Sequence, residues 1–125
     1  MSKTTELRDQ IQAQLESVAQ NVYFQKKPTR FGYPYVTFEM NELGYDSGKT
    51  LYQMEINVID EGTSTAAVET IADDIQSLLH RLYYIGDTIQ FVCYKDQRQT
   101  IREDDPKIHR RRMLFELHLH DLKGE

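Results

Sequence analysis

LYQMEINVIDEGTSTAAVETIADDIQSLLH, residues 51–80, changes its apolar period halfway along, and that change sets the fold class. From Leu51 to Ile59 the chain alternates. Tyr52, Met54, Ile56 and Val58 fall on one face and Gln53, Glu55 and Asn57 on the other, the pattern of a half-buried strand. DEGTST then offers a turn and several helix N-caps. From Ala66 to about Leu82 the apolar positions Val68, Ile71, Ala72, Ile75, Leu78, Leu79 and Leu82 make one broad stripe of helical spacing. Glu69, Asp73 and Asp74 lie mostly off it, and the early acids suit the positive end of the helix dipole.

Working outward, residues 35–42 alternate in the same way, with Val36, Phe38 and Met40 opposed to Tyr35, Thr37 and Glu39. ELGYDSGK (42–49) reads as the connection of an antiparallel hairpin, since glycine, aspartate and serine favour turns. Before it, Leu7, Ile11, Leu15 and Val18 predict an amphipathic helix over residues 5–20, ending near Asn21. VYFQ predicts a short strand, and Pro28, Gly32 and Pro34 break the stretch that follows. After the second helix, Ile89, Phe91 and Cys93 oppose Gln90, Val92 and Tyr94. The closing RRMLFELHLH sends Met113, Phe115, Leu117 and Leu119 inward, with Arg112, Glu116, His118 and His120 outward and Leu114 an apolar exception on the outer face. DQRQTIREDDPK between them reads either as the tip of a long hairpin or as a mobile loop longer than connectivity requires. The expected architecture is α+β: a mainly antiparallel sheet, two helices on one face, and a long charged hairpin or loop.

At 125 residues the chain fits one domain spanning residues 1–125. With 39% apolar and 28% charged residues it can fold around a core. A net charge of −5 argues against general nucleic-acid affinity, which needs a basic surplus. The only cysteine, Cys93, can form no internal disulfide, which suits a reducing, cytoplasmic setting. MSKTTELRDQ lacks the apolar core of a signal peptide, and no stretch approaches the roughly 20 apolar residues of a membrane span.

Little in the sequence suggests chemistry. His118 and His120 form an H-x-H on one strand face, but zinc needs three or four ligands and no nearby motif supplies them; an exposed polar pair is the simpler reading. A lone cysteine in an apolar strand is ordinarily buried and inert. Asp73 and Asp74 are adjacent on a helix, so they diverge by about 100° and form no carboxylate dyad. Phosphate-binding, nucleophile-elbow and zinc-protease motifs are absent, and the expectation is a protein without catalytic residues, cofactor or metal. The basic run Lys107, His109, Arg110, Arg111, Arg112 follows the acids Glu103, Asp104 and Asp105. Such a run is a self-compensating charged loop, a docking tip that steers and registers a partner, or a place of local nucleic-acid contact without aromatics for base stacking. Eight tyrosines, among them Tyr33, Tyr35 and Tyr45, fit an interaction module, because tyrosine buries area while keeping a polar tip.

Taken together in this order and spacing, YPYVTFEM (33–40), residues 51–80 and RRRMLFELHLH (110–120) resemble the small tail-completion or tail-terminator proteins of long-tailed bacteriophages and their prophage relatives. Pro34, Tyr35 and Val36 match the first strand of that family. Ile71, Ala72, Asp73, Asp74, Ile75 and Leu78 match its I-A-D-x-I-x-x-L helix. The likeness covers most of the chain; REDDPKIHRRR has no clear counterpart. It implies an α+β virion subunit at the head-proximal end of the tail, assembled in the host cytoplasm into a ring, typically a hexamer. That ring stops tail-tube growth and joins the tube to the head connector. Tail-tube protein and connector (stopper) protein would be its partners, with monomers before assembly an open alternative, no membrane contact, and DNA met only in the ring lumen. Residues 42–50 and 95–112 then become contact segments, with Tyr33, Tyr35, Tyr45, Arg98, Arg102, Glu103, Asp104, Asp105, Arg110, Arg111 and Arg112 as interface candidates. Another small neck subunit and a protein-binding regulatory domain are the alternatives.

Overall fold

The computed structural model of the chain describes residues 2–25 and 32–122. In chain order it contains α1 (Lys3–Glu16), β1 (Val22–Phe24), β2 (Tyr35–Asp46), β3 (Lys49–Glu61), α2 (Ala66–Leu79), β4 (Tyr83–Ile85), β5 (Ile89–Arg102) and β6 (Ile108–Asp121). The strands form one six-stranded sheet in the order β1-β2-β3-β6-β5-β4. All neighbours are antiparallel except β1, which lies parallel to β2. The α+β class expected from the sequence holds.

Both helices lie on one face. Leu7, Ile11 and Leu15 of α1, one helical turn apart, and Val68, Ala72, Ile75 and Leu79 of α2 are fully buried. They pack on Val36, Phe38, Met54, Ile56, Phe91, Met113, Phe115 and Leu117, the inward half of each alternating strand. The boundaries differ from expectation at both helices. α1 stops at Glu16, where the Ser17 hydroxyl and N–H both turn back to the Gln14 carbonyl. α2 stops at Leu79, because His80 is extended and Arg81 takes a left-handed backbone with φ 68°.

The largest departures concern the hairpins. ELGYDSGK is mostly strand: β2 and β3 run to a two-residue turn, Ser47–Gly48, with φ of 51° and 83°. Two consecutive positive φ values give the primed turn that matches strand twist. DQRQTIREDDPK is the end of a long hairpin, one of its two sequence readings, though more of it is strand than tip. β5 continues to Arg102, β6 begins at Ile108, and only residues 103–107 turn. β4 was not foreseen at all. Leu114, expected on the outer face, does lie there, yet it is only 7% exposed.

Because β3 pairs with β6 from Lys49↔His120 to Glu61↔Ile108, the two long hairpins point in opposite directions. The β2–β3 turn projects at one end of the sheet and the β5–β6 turn at the other. A bulge between Lys95 and Gln97 reverses the alternation of β5, so Arg98, Thr100 and Arg102 share the helix-covered face with Cys93. A second bulge between Glu42 and Gly44 does the same in β2, bringing Tyr45 to the helix-side face.

Candidate interaction surfaces

The basic run of β6 alternates across the sheet, and so its arginines serve two different faces. On the helix side, Arg111 donates through Nε to Glu69 at 2.8 Å, and Arg98 bonds Glu69 at 3.2 Å and Asp73 at 2.7 Å. These links fasten α2 to the β5–β6 hairpin. The hydrogen bond from Arg111, aided by that from Arg98 and opposed by partial burial, holds the Glu69 carboxyl below the usual carboxylate range. Arg98 is raised in turn by its two acidic partners against the effect of its own burial. Arg111 is 9% exposed and committed beneath α2. As a surface for partners, Arg111 is therefore a correction: the alternation of β6 places it inward, with Met113.

On the open face, Arg110 donates to Asn57 Oδ1 at 2.8 Å and pairs with Glu103 at 3.3 Å. Asn57 donates to Glu55 at 2.9 Å, and Glu55 also takes Arg112 at 2.9 Å. The result is a polar ladder, Glu103–Arg110–Asn57–Glu55–Arg112, in which the two β6 arginines reach acceptors on β3 and in the β5–β6 turn. Beside it lies a shallow groove of about 330 Å³ lined by Tyr33, Tyr35, Asn57, Ile59, Glu103 and Arg110. Asn21 donates to the carbonyls of Gly32 and Pro34 and so anchors the entry to β2, where the Tyr33–Pro34 peptide is cis.

Tyr35 was expected on a partner-facing surface. It is buried, with its ring 5.7 Å from Tyr33 and 6.5 Å from Tyr23. Tyr33 covers it and remains partly exposed. Burial, with neighbouring charges, pushes both phenols up, so neither supplies a phenolate near neutral pH. Phe31, also part of the entry stretch, lies outside the described residues. The remaining candidates are at the hairpin ends. Arg102, Asp104 and Asp105 are exposed at one, where Asp105 Oδ1 accepts from the Lys107 N–H at 2.9 Å. Tyr45 stands out at the other, together with Leu43, which the sequence reading passed over.

His118 and His120 both lie on the open face of β6. His118 packs edge-on to Tyr94 at 5.6 Å and stands 3.9 Å from Glu116. Among the described residues no three His, Cys, Asp or Glu side chains converge as a metal would need. Burial pushes the Cys93 thiol up to about 12, leaving it protonated and unreactive. Sequence reasoning missed Glu69, Asp73, Glu55 and Asn57 as partners of the arginines. The alternation of β6 carries the signal for Glu55 and Asn57, whereas Arg98 needs knowledge of the bulge.

No family model matches the chain, and no curated protein matches it. Among the solved structures that share its fold, two illustrate the likeness. A chain of the virion of a native gene transfer agent particle superposes with a TM-score of 0.67 at 14% identity, over 85% of this chain and 84% of that one. A second solved chain superposes with a TM-score of 0.69 at 13% identity, over 96% of both. At such identities the likeness is one of fold, and the architecture described above is one that also occurs in a gene transfer agent virion.

Proposed function

We propose that this chain is a structural virion subunit of the phage-tail type, a ring-forming protein that closes the tail tube and joins it to the head connector. The observation that carries this reading is the fold shared over most of its length with a gene transfer agent virion chain. The sequence resemblance to tail-completion proteins points the same way. Two long hairpins leaving opposite ends of one sheet suit a protein that must meet a tube on one side and a connector on the other. The arginine–carboxylate pairs described above are satisfied within the fold, as suits a structural role.

Deleting the gene from its own phage or prophage and imaging the particles by electron microscopy tests the reading. Overlong tails, or tails without heads, are expected. Normal virions that lack the protein would overturn it. Tails of normal length detached from normal heads would instead favour a neck subunit, the second reading that the same virion-level fold likeness supports.

A further inference from the structure

Each outer edge of the sheet is covered over only part of its length. β1 covers β2 at Val36–Phe38, and the Gln25 N–H reaches the Phe38 carbonyl. Among the described residues nothing pairs with the outer edge of β2 from Asn41 to Asp46, and all six residues are exposed. At the opposite edge β4 covers Gln90–Val92, Leu82 and Arg81 bond Cys93, and His80 Nδ1 accepts from the Lys95 N–H. Beyond that point β5 has no outer partner through Arg102 among the described residues. Since β2 and β5 run in opposite directions, the two open stretches lie at opposite ends of the molecule.

The geometry points to these two edges pairing with each other between copies of this chain, β2 (41–46) of one subunit with β5 (96–102) of the next, antiparallel. Three features of the molecule fit that occupant. First, phase. The outward peptide groups at Phe38 and Cys93 belong to residues whose side chains lie on the helix face. Carried past the two bulges, the outward groups are those of Glu42 and Tyr45 on β2 and of Arg98, Thr100 and Arg102 on β5. Joining them keeps both helices of every subunit on one side of a continuous sheet.

Second, shape. With the second copy stepped along the strands by about six residues, roughly 20 Å, each three-residue covering strand falls just beyond the end of the strand it would otherwise obstruct. Third, charge. The end of β2 carries Glu39, Glu42 and Asp46 and no basic residue, while residues 95–102 carry Lys95 and Arg102 against the single acid Asp96, with Arg98 already paired to Glu69 and Asp73. Two β2 edges repel each other, as do two β5 edges, so the charges select the head-to-tail contact that closes a ring over the back-to-back dimer. Charged edge strands commonly guard against indiscriminate pairing, and complementary guards leave one permitted partner.

This inference rests on the ring proposed above and specifies its seam. Asn41 and the β5 residues Gln97, Gln99 and Ile101 all lie on the open face, where non-hydrogen-bonded neighbours across a seam come close enough for a disulfide. Three double variants, Asn41→Cys combined with Gln97→Cys, Gln99→Cys or Ile101→Cys, are oxidised both as concentrated protein and in purified particles. Unchanged circular dichroism and melting temperature verify folding. At least one variant is expected to yield a reducible ladder at multiples of the 14.7 kDa chain. Glu42→Lys should deplete that ladder, and adding Arg102→Glu should restore part of it. Rings or particles that incorporate all three variants without any ladder would overturn the edge pairing and leave the virion role standing. A protein that stays monomeric at every concentration and is missing from particles would overturn both.

Discussion

Glu69 is the residue on which the helix–hairpin junction depends, because it is the shared acceptor of two arginines of unequal burial. Arg111 keeps 11% of its side chain exposed and has one carboxylate partner, whereas Arg98 can fall back on Asp73. Glu69→Ala should therefore cost more than Asp73→Ala: about 1–2 kcal/mol against a few tenths, since a half-buried cation left without its partner loses more than an exposed pair does. Chemical denaturation of the two variants measures the difference. The pH dependence has a definite sign. Glu69 is held below its ordinary pKa in the fold, so its contribution is complete above the carboxylate range of the unfolded chain, about 4, and is lost as pH falls through the lower folded value. The stability gap between wild type and Glu69→Gln should be constant from pH 7 to about 5 and close below pH 4. Cys93 provides a separate measurement. With its thiol pushed up to about 12 by burial, it should resist maleimide at pH 8 in the native protein and react readily in denaturant.

Among elements, the hairpins show what sequence periodicity can and cannot disclose. β3, α2 and the inner part of β6 were legible because one side of each faces the core, and burial writes a period of 2 or 3.6 into the apolar residues. The outer half of β2 is exposed throughout, and that of β5 meets α2 through the ion pairs of Arg98, so neither stretch selects apolar side chains and the pattern fades into polar residues that resemble loops. Two bulges add to this by reversing the alternation where it might have been followed. β4 is three residues long and exposed at Tyr83 and Ile85, too short for a period to register. Of the candidate residues, Tyr45, Arg102, Asp104 and Asp105 are exposed at the tips. Tyr35 and Arg111 are buried: alternation gives a face and says nothing of what covers it. The Ser47–Gly48 turn makes the hairpin testable in isolation. Both residues have positive φ, and a Cβ at Gly48 would touch nothing. Gly48→Ala should thus destabilise by about 1 kcal/mol through backbone strain alone, and Ser47→Asn should stabilise slightly, because asparagine tolerates the left-handed region. Thermal melts of both variants check the sign.

At the scale of the whole molecule, stability and assembly are assigned to different regions. The fully buried side chains lie in the middle of the sheet, where both helices cover it, and Phe38, Phe91 and Phe115 are among the largest. The two turns and the strand ends beside them add little to that core. Phe115→Ala, on a central strand, should cost about 3–5 kcal/mol, since it opens a cavity that rigid neighbours cannot fill. Tyr45→Ser and Asp104→Lys, at opposite tips, should each stay within about 0.5 kcal/mol of wild type. Hydrogen exchange should divide along the same line. Amides of Met54, Ile56 and Met113 would open only with global unfolding, while those of residues 44–49 and 101–108 open locally in the free protein. On the ring reading, assembly changes only the second group: the tips gain protection when the protein is incorporated into particles, and the core amides exchange as before. Tip variants would then fold normally yet incorporate poorly, the reverse of a core variant rescued by low temperature. If Tyr45→Ser and Asp104→Lys both enter particles at wild-type levels, with tip amides still exchanging fast, the hairpin ends are not the contact surfaces. The division of labour between core and tips would then be wrong.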